Sequence, residues 1–233
     1  MAVSGAAVSP NMGYYSTAAL AFLLTVFNVR LGWWLPNPRD RANRASAGPL
    51  LGLAYLFFEL FGLTSERRGY VYLSDGGHFE NLGVYELARR RCSNIVVCDA
   101  SADGDFRYDD LANAIERCRV DLGAVIRFGD QAQGLEAMPS EKENKPYLFH
   151  GTITYVDGTV GNFIYLKPNL SDLPGLPADV RWYADNVDAR FPHQSTADQW
   201  FNEAQFESYR ALGERIMAEA VPSIQDALRI ART

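Results

Sequence analysis

The sequence predicts an α/β fold in which helices flank a mostly parallel sheet. Three short apolar segments, at residues 70–74, 95–98 and 124–128, are typical of strands. Residues 95–98 are apolar without interruption, as expected for a strand that is covered on both faces. Segments with helical spacing of apolar residues separate the three strands. This β-α-β-α-β order favours parallel strands that are connected by helices.

Further helices and a hairpin are predicted around that sheet. Helices are expected at residues 14–31, 50–63 and 82–91, from Asp109 or Asp110 to 122, and from about 196 to the C-terminus. Residues 35–49 contain three prolines and show little periodicity, so we expect a loop there. Residues 148–156 and 162–166 flank Asp157-Gly158, a turn pair that predicts a β-hairpin.

Composition and charge argue against several classes of protein. The chain has 233 residues and is 48% hydrophobic and 21% charged, which is typical of a globular chain with a core. Its formal net charge of -6 argues against a nucleic-acid partner. The most apolar run, residues 18–27, is half of the ~20 residues that a membrane-spanning helix needs. The chain has three cysteines without C-x-x-C spacing, so we expect reduced thiols and no metal site.

The residues that could carry out catalysis lie at the end of the first predicted strand. Asp75 follows residues 70–74, and Gly76 and Gly77 follow Asp75. In open parallel sheets, ligands bind beyond the carboxyl ends of the strands. Glycines at such a position let the backbone turn sharply and approach a substrate closely. Asp75 is therefore the candidate catalytic residue.

The segment at residues 73–83, Leu-Ser-Asp-Gly-Gly-His-Phe-Glu-Asn-Leu-Gly, resembles the aspartate motif of the patatin and cytosolic phospholipase A2 superfamily. Residues 95–103 and the small residues at 4–10 are also similar to segments of that superfamily. The resemblance implies a Ser–Asp dyad that hydrolyses lipid esters at a membrane surface without a cofactor. It implies that Asp75 is the general base, that Gly76 and Gly77 shape its loop, and that Asn81 holds the loop in position.

Two elements of that superfamily do not occur in the sequence. There is no Gly-x-Ser-x-Gly segment, and no glycine-rich oxyanion loop precedes Ser4. We therefore expect residues 1–233 to be the C-terminal portion of one patatin-like domain, whose nucleophile lies in a missing N-terminal segment of the same protein. The chain alone is expected to be inactive, and a cytoplasmic or peripheral membrane location is favoured.

Several alternatives stay open at this point. Asp75 could be an ordinary turn residue, and the interpretation preferred for His78 is loop packing rather than membership of a catalytic triad. The acidic residues at 99–110 have the offsets of a calcium loop, although they also suit a loop that caps the next helix. The fold could also serve as a non-catalytic lipid-binding or assembly domain. Aromatic residues that could form either a core or a lipid-facing surface are Trp33, Trp34, Phe57, Phe58 and Phe61.

Overall fold

The computed structural model describes most of the chain, as two compact units at residues 1–81 and 82–233. The described residues are 17–27, 29, 31–40, 46–129, 146–170, 173–195, 198 and 200–230. The small-residue segment at residues 4–10 lies outside them.

The first unit contains two helices and a two-stranded sheet. These elements are α1 (Ala18–Val26), β1 (Trp33–Pro36), α2 (Gly52–Leu60) and β2 (Tyr70–Leu73). The two strands pair antiparallel, with Trp34 opposite Tyr72. The loop expected at residues 35–49 is therefore wrong at its start, because Leu35 and Pro36 belong to β1. The proline is tolerated there because β1 has a partner on one side only.

The aromatic residues of the first unit divide between core and surface. Trp34 is buried, and its indole N–H donates to Glu59 Oε1 at 2.6 Å. Trp33, Phe57 and Phe61 are each more than half exposed. Core packing is therefore confirmed for Trp34 and wrong for these three residues.

The second unit is built on a four-stranded mixed sheet. Its elements are α3 (Val84–Arg89), β3 (Asn94–Cys98), α4 (Asp109–Leu122), β4 (Val125–Phe128), β5 (Leu148–Thr154), β6 (Val160–Leu166), α5 (Ala178–Asn186) and α6 (Glu203–Ile230). The strand order is β3-β6-β5-β4. Strands β5 and β6 form the predicted hairpin around Asp157-Gly158. The α/β class, the hairpin and the C-terminal helices are therefore confirmed.

The predicted pairing of the strands is wrong. β2 pairs with β1 in a separate sheet, and β3 and β4 lie at opposite edges of the larger one. The parallel pair is β3 with β6, whereas β5 is antiparallel to both β4 and β6. The hairpin displaces the expected parallel neighbours because it inserts between β3 and β4.

Helices cover both faces of the larger sheet. Side chains alternate between faces along a strand, and β6 is buried on both sides. Phe163 and Tyr165 pack with α3 and α4, whereas Ile164 and Leu166 pack with α5 and α6. In this layered arrangement, the carboxyl ends of β3 and β6 lie next to α6. Residues that follow these two strands can therefore contribute side chains to a binding site.

Candidate active site

Asp75 is separated from the end of β2 by Ser74 and lies at the start of a single 3-10 turn formed by Gly76–His78. Its backbone is extended, and its Oδ1 accepts a hydrogen bond from the Gly77 N–H at 2.7 Å. The side chain is half-buried. This hydrogen bond gives the carboxylate a fixed direction, and its partial exposure leaves it accessible to a reacting hydroxyl group. Both properties suit a general base.

The residues predicted to shape this loop lie against each other. A side chain at Gly77 would overlap the amide oxygen of Asn81 and come within 3.1 Å of Asp75 Oδ1. The carbonyl of Gly76 accepts the backbone N–H groups of Phe79 and Glu80, each at 3.0 Å. The structure therefore brings Asp75, Gly76, Gly77 and Asn81 close together, and a side chain at position 77 would displace the Asn81 amide.

His78 contacts the residue that precedes Asp75. Its Nδ1 lies 3.1 Å from Ser74 Oγ, so the ring connects the end of the turn to the end of the strand. This contact agrees with a loop-packing role for His78. The Ser74 hydroxyl group is also next to Asp75 in sequence, so Ser74 must be tested as a possible nucleophile.

A second polar cluster is buried in the second unit. We call it the Lys167 cluster, and it comprises Asp99, Ser101, Tyr165 and Lys167. Lys167 directly follows β6, and its Nζ lies 3.2 Å from Asp99 Oδ2. The same ammonium group donates to the carbonyl and hydroxyl oxygens of Ser101 at 3.0 and 3.1 Å. The side chains of Lys167 and Asp99 are each only 1% exposed, so this ion pair is fully removed from water.

Hydrogen bonds hold both oxygens of Asp99. Oδ1 accepts from the N–H and hydroxyl of Ser101 at 2.9 and 2.6 Å, and Oδ2 accepts from the Tyr165 hydroxyl at 2.5 Å. Burial opposes ionisation of Asp99, but the Lys167 charge and these hydrogen bonds outweigh it and lower the pKa of Asp99. Burial and the neighbouring Asp99 charge raise the pKa of Tyr165. A strongly bonded carboxylate with a low pKa is a poor proton acceptor at neutral pH, so the Lys167 cluster suits structural support.

Sequence reasoning missed Lys167 and Tyr165. The one visible signal is a lysine that directly follows the apolar strand β6. Its carboxylate partner, Asp99, follows a different strand, and the pairing of β3 with β6 brings the two residues together. The cluster therefore depends on a strand pairing that the sequence does not reveal.

The geometry of residues 99–110 does not support a calcium loop. Asp99 faces Lys167, and Asp103 accepts the backbone N–H groups of Arg107 and Tyr108 at 2.8 and 2.9 Å. Asp103 therefore holds the turn that precedes α4. The N-cap of α4 is Tyr108, which makes no side-chain cap hydrogen bond, so the capping alternative stays a prediction. Within the described part of the chain, no three acidic, cysteine or histidine side chains are grouped as metal ligands.

His193 lies close to the Lys167 cluster. Its ring packs edge-on against Phe106, with 4.8 Å between the centroids. Both ring nitrogens are buried, and neither makes a well-formed hydrogen bond. The backbone of Ser101 lies nearby and by itself would raise the pKa of the ring. Burial, followed by the charge of Lys167, lowers the pKa of His193 below its usual range. The folded protein therefore favours neutral imidazole at this position.

This shift predicts a loss of stability in mild acid. The pKa of His193 in the unfolded chain is ~6.5, above its value in the folded protein. Above that pH the ring is neutral in both states, so stability is at its full value. As the pH falls below ~6.5, the unfolded chain gains a proton that the folded chain resists, and the free energy of unfolding decreases.

Urea unfolding at pH 7.5 and 5.5 measures this effect. We expect His193→Gln to show a smaller decrease between the two values than the unchanged protein. His150→Gln serves as the control, because His150 is exposed. If the free energy of unfolding decreased equally in the His193→Gln variant and in the unchanged protein, His193 would not be the cause of the acid sensitivity.

None of the helices in the described ranges is both long and apolar enough to cross a bilayer. Comparison of the chain with protein-family models, curated proteins and solved structures gives no match in any of the three.

Proposed function

We propose that the chain contributes Asp75 as the general base of a serine-dependent lipid acyl hydrolase. The observation that carries the proposal is the placement of Asp75 at the start of the turn that follows β2, with its carboxylate oriented by the Gly77 N–H. Because β2 pairs antiparallel with β1, the support comes from the tight glycine turn that orients the carboxylate, and not from the end of a parallel sheet. The sequence resemblance at residues 73–83 supplies the reaction class.

In the proposed reaction, Asp75 moves a proton in each half of the cycle. It accepts the serine hydroxyl proton while the serine oxygen attacks the ester carbonyl. When the tetrahedral intermediate collapses, the C–O bond to the alcohol breaks, and Asp75 returns the proton to the leaving oxygen. Water then attacks the acyl-enzyme, Asp75 accepts its proton, and the serine regains that proton as the fatty acid leaves.

The proposed reaction needs a nucleophilic serine in addition to Asp75. We infer that it is a serine outside residues 1–233, as the resemblance implies. Ser74 is the nearest alternative, because its hydroxyl contacts His78. Ser74→Ala distinguishes the two, because activity that survives this change excludes Ser74 as the nucleophile.

A non-catalytic lipid-binding role is the second candidate, and the exposed apolar surface of the first unit favours it. Phe22 and Phe27 at α1, and Phe57 and Phe61 at α2, are each more than half exposed. Exposed apolar clusters of this kind are typical of surfaces that contact a membrane or another protein. A lipid-binding domain would bind vesicles without releasing fatty acid.

Hydrolysis of p-nitrophenyl butyrate tests the proposed function. The 233-residue chain alone should release p-nitrophenol at the background rate, and a chain extended upstream to include the predicted serine should turn the ester over. Ser74→Ala in the extended chain should retain that activity. Vesicle binding by an extended chain without ester hydrolysis would support the lipid-binding alternative and overturn the hydrolase proposal.

A further inference from the structure

The second unit contains a cavity that the proposed hydrolase chemistry does not use. It has a volume of about 270 Å³ and lies between α6 and the residues that end β3 and β6. Its walls are mainly aliphatic and include Leu166, Leu212, Ile216 and Met217. Leu166, Leu212 and Ile216 are nearly inaccessible to solvent, whereas Met217 is 37% exposed. The inner wall of the cavity is therefore apolar and buried, and the flexible side chain of Met217 lies at its opening.

The cavity occupies a favourable position in the sheet. Strands β3 and β6 are parallel, and Cys98 and Leu166 are paired at their shared carboxyl end. Both residues line the cavity. The region beyond the carboxyl ends of parallel strands is where α/β sheets bind ligands.

Gly213 is an exposed residue at the edge of this cavity. It lies inside α6 and lines the cavity, and a Cβ added there would meet no atom within 4 Å. Glycine inside a helix is less stable than alanine, so a residue with a side chain would improve the helix without a clash. A larger side chain at position 213 therefore has room to extend across the cavity, which makes this position suitable for a test.

The lining also indicates the chemical class of the ligand. Asp99 lies at the cavity, but its carboxylate is bonded to Lys167, Tyr165 and Ser101. No lysine, arginine or histidine is among the described lining residues, so a charged ligand would find no counter-ion there. The volume is just below the ~300 Å³ at which typical small-molecule pockets begin, which suits one short chain.

We propose that this cavity binds the aliphatic chain of an uncharged ligand. The apolar lining and the position at the strand ends support it together, and the proposal does not depend on the role of Asp75. Cys98 provides a reporter, because it lines the cavity and its side chain is exposed. Neighbouring atoms partly desolvate the thiol although the residue as a whole is exposed, and this desolvation raises the pKa of Cys98, so its modification is best followed at mildly alkaline pH.

Titration of the protein with 1-octanol tests the proposal. We expect saturable binding of one octanol per chain by calorimetry, and we expect Gly213→Leu to weaken the affinity at least about tenfold by filling the cavity. Gln225→Leu is the matched control, because it adds the same side chain at an exposed position of α6. Its affinity should equal that of the unchanged protein, and so should the affinity of Asp75→Asn.

Thiol labelling gives a second readout that does not depend on how Gly213→Leu folds. Octanol should slow the modification of Cys98 by a thiol reagent, and Cys98→Ser identifies the signal. Absence of saturable octanol binding would overturn the proposal, as would full affinity in a folded Gly213→Leu variant or unchanged labelling of Cys98 at saturating octanol.

Discussion

Replacement of Lys167 with methionine is expected to lower the free energy of unfolding by about 3–5 kcal/mol, the cost of breaking a buried ion pair. Lys167 and Asp99 are both removed from water, and methionine leaves the Asp99 carboxylate without its cation. Methionine keeps a side chain of similar length and shape, so the loss measures the charge rather than a cavity. Urea unfolding followed by circular dichroism gives the free energy.

Two further variants show whether the effect belongs to the Lys167 cluster. Arg210→Met removes an exposed arginine that pairs with Glu207 and Glu214, and a solvent-screened pair should contribute far less. Asp99→Asn combined with Lys167→Met should be less destabilising than the sum of the two single changes, because neither charge is then left unpaired. Equal losses in Lys167→Met and Arg210→Met would contradict the cluster's structural role.

Asp75→Asn in an upstream-extended, active chain is expected to lower kcat by about 10²–10⁴-fold, the usual contribution of general acid–base catalysis. Asparagine keeps an oxygen that can accept the Gly77 N–H, so the turn should survive while the basic oxygen is lost. Asp226→Asn is the matched control, because Asp226 is an exposed carboxylate on α6. Steady-state hydrolysis of p-nitrophenyl butyrate gives kcat for each chain.

The melting temperature of the Asp75→Asn variant separates lost chemistry from lost structure. Normal kcat in a correctly folded Asp75→Asn chain would remove Asp75 from the mechanism. A loss of the same size in Asp226→Asn would show that the effect is not specific to the Asp75 turn.

Local features of the fold could be predicted from the sequence because their causes are local. The spacing of Leu111, Ile115 and Cys118 predicts α4. Leu111 and Cys118 are fully buried in the structure, and Ile115 is partly buried. Asp157-Gly158 predicts the β5–β6 hairpin, and Gly158 has the positive φ that such a turn requires. The Asp75 turn belongs to the same class, because its glycines and its aspartate are neighbours in sequence.

Strand partners could not be predicted in this way. Apolar runs identify β3 and β4 as strands, but they do not show that β5 and β6 separate the two. The buried run Phe163-Ile164-Tyr165-Leu166 is the one clue that β6 is central, because a strand covered on both faces is apolar throughout. The Lys167 cluster stayed hidden for the same reason, since Asp99 and Lys167 come together only through the β3–β6 pairing.

The most direct test of the central claim is the rate of acylation, followed as a p-nitrophenol burst in stopped-flow experiments with the extended chain. General-base catalysis by Asp75 predicts a burst of one p-nitrophenol per active chain, with a rate constant that falls at least about 10²-fold in Asp75→Asn and is unchanged in Asp226→Asn. A burst rate constant in folded Asp75→Asn within about twofold of the unchanged enzyme would contradict the assignment of Asp75 as the base.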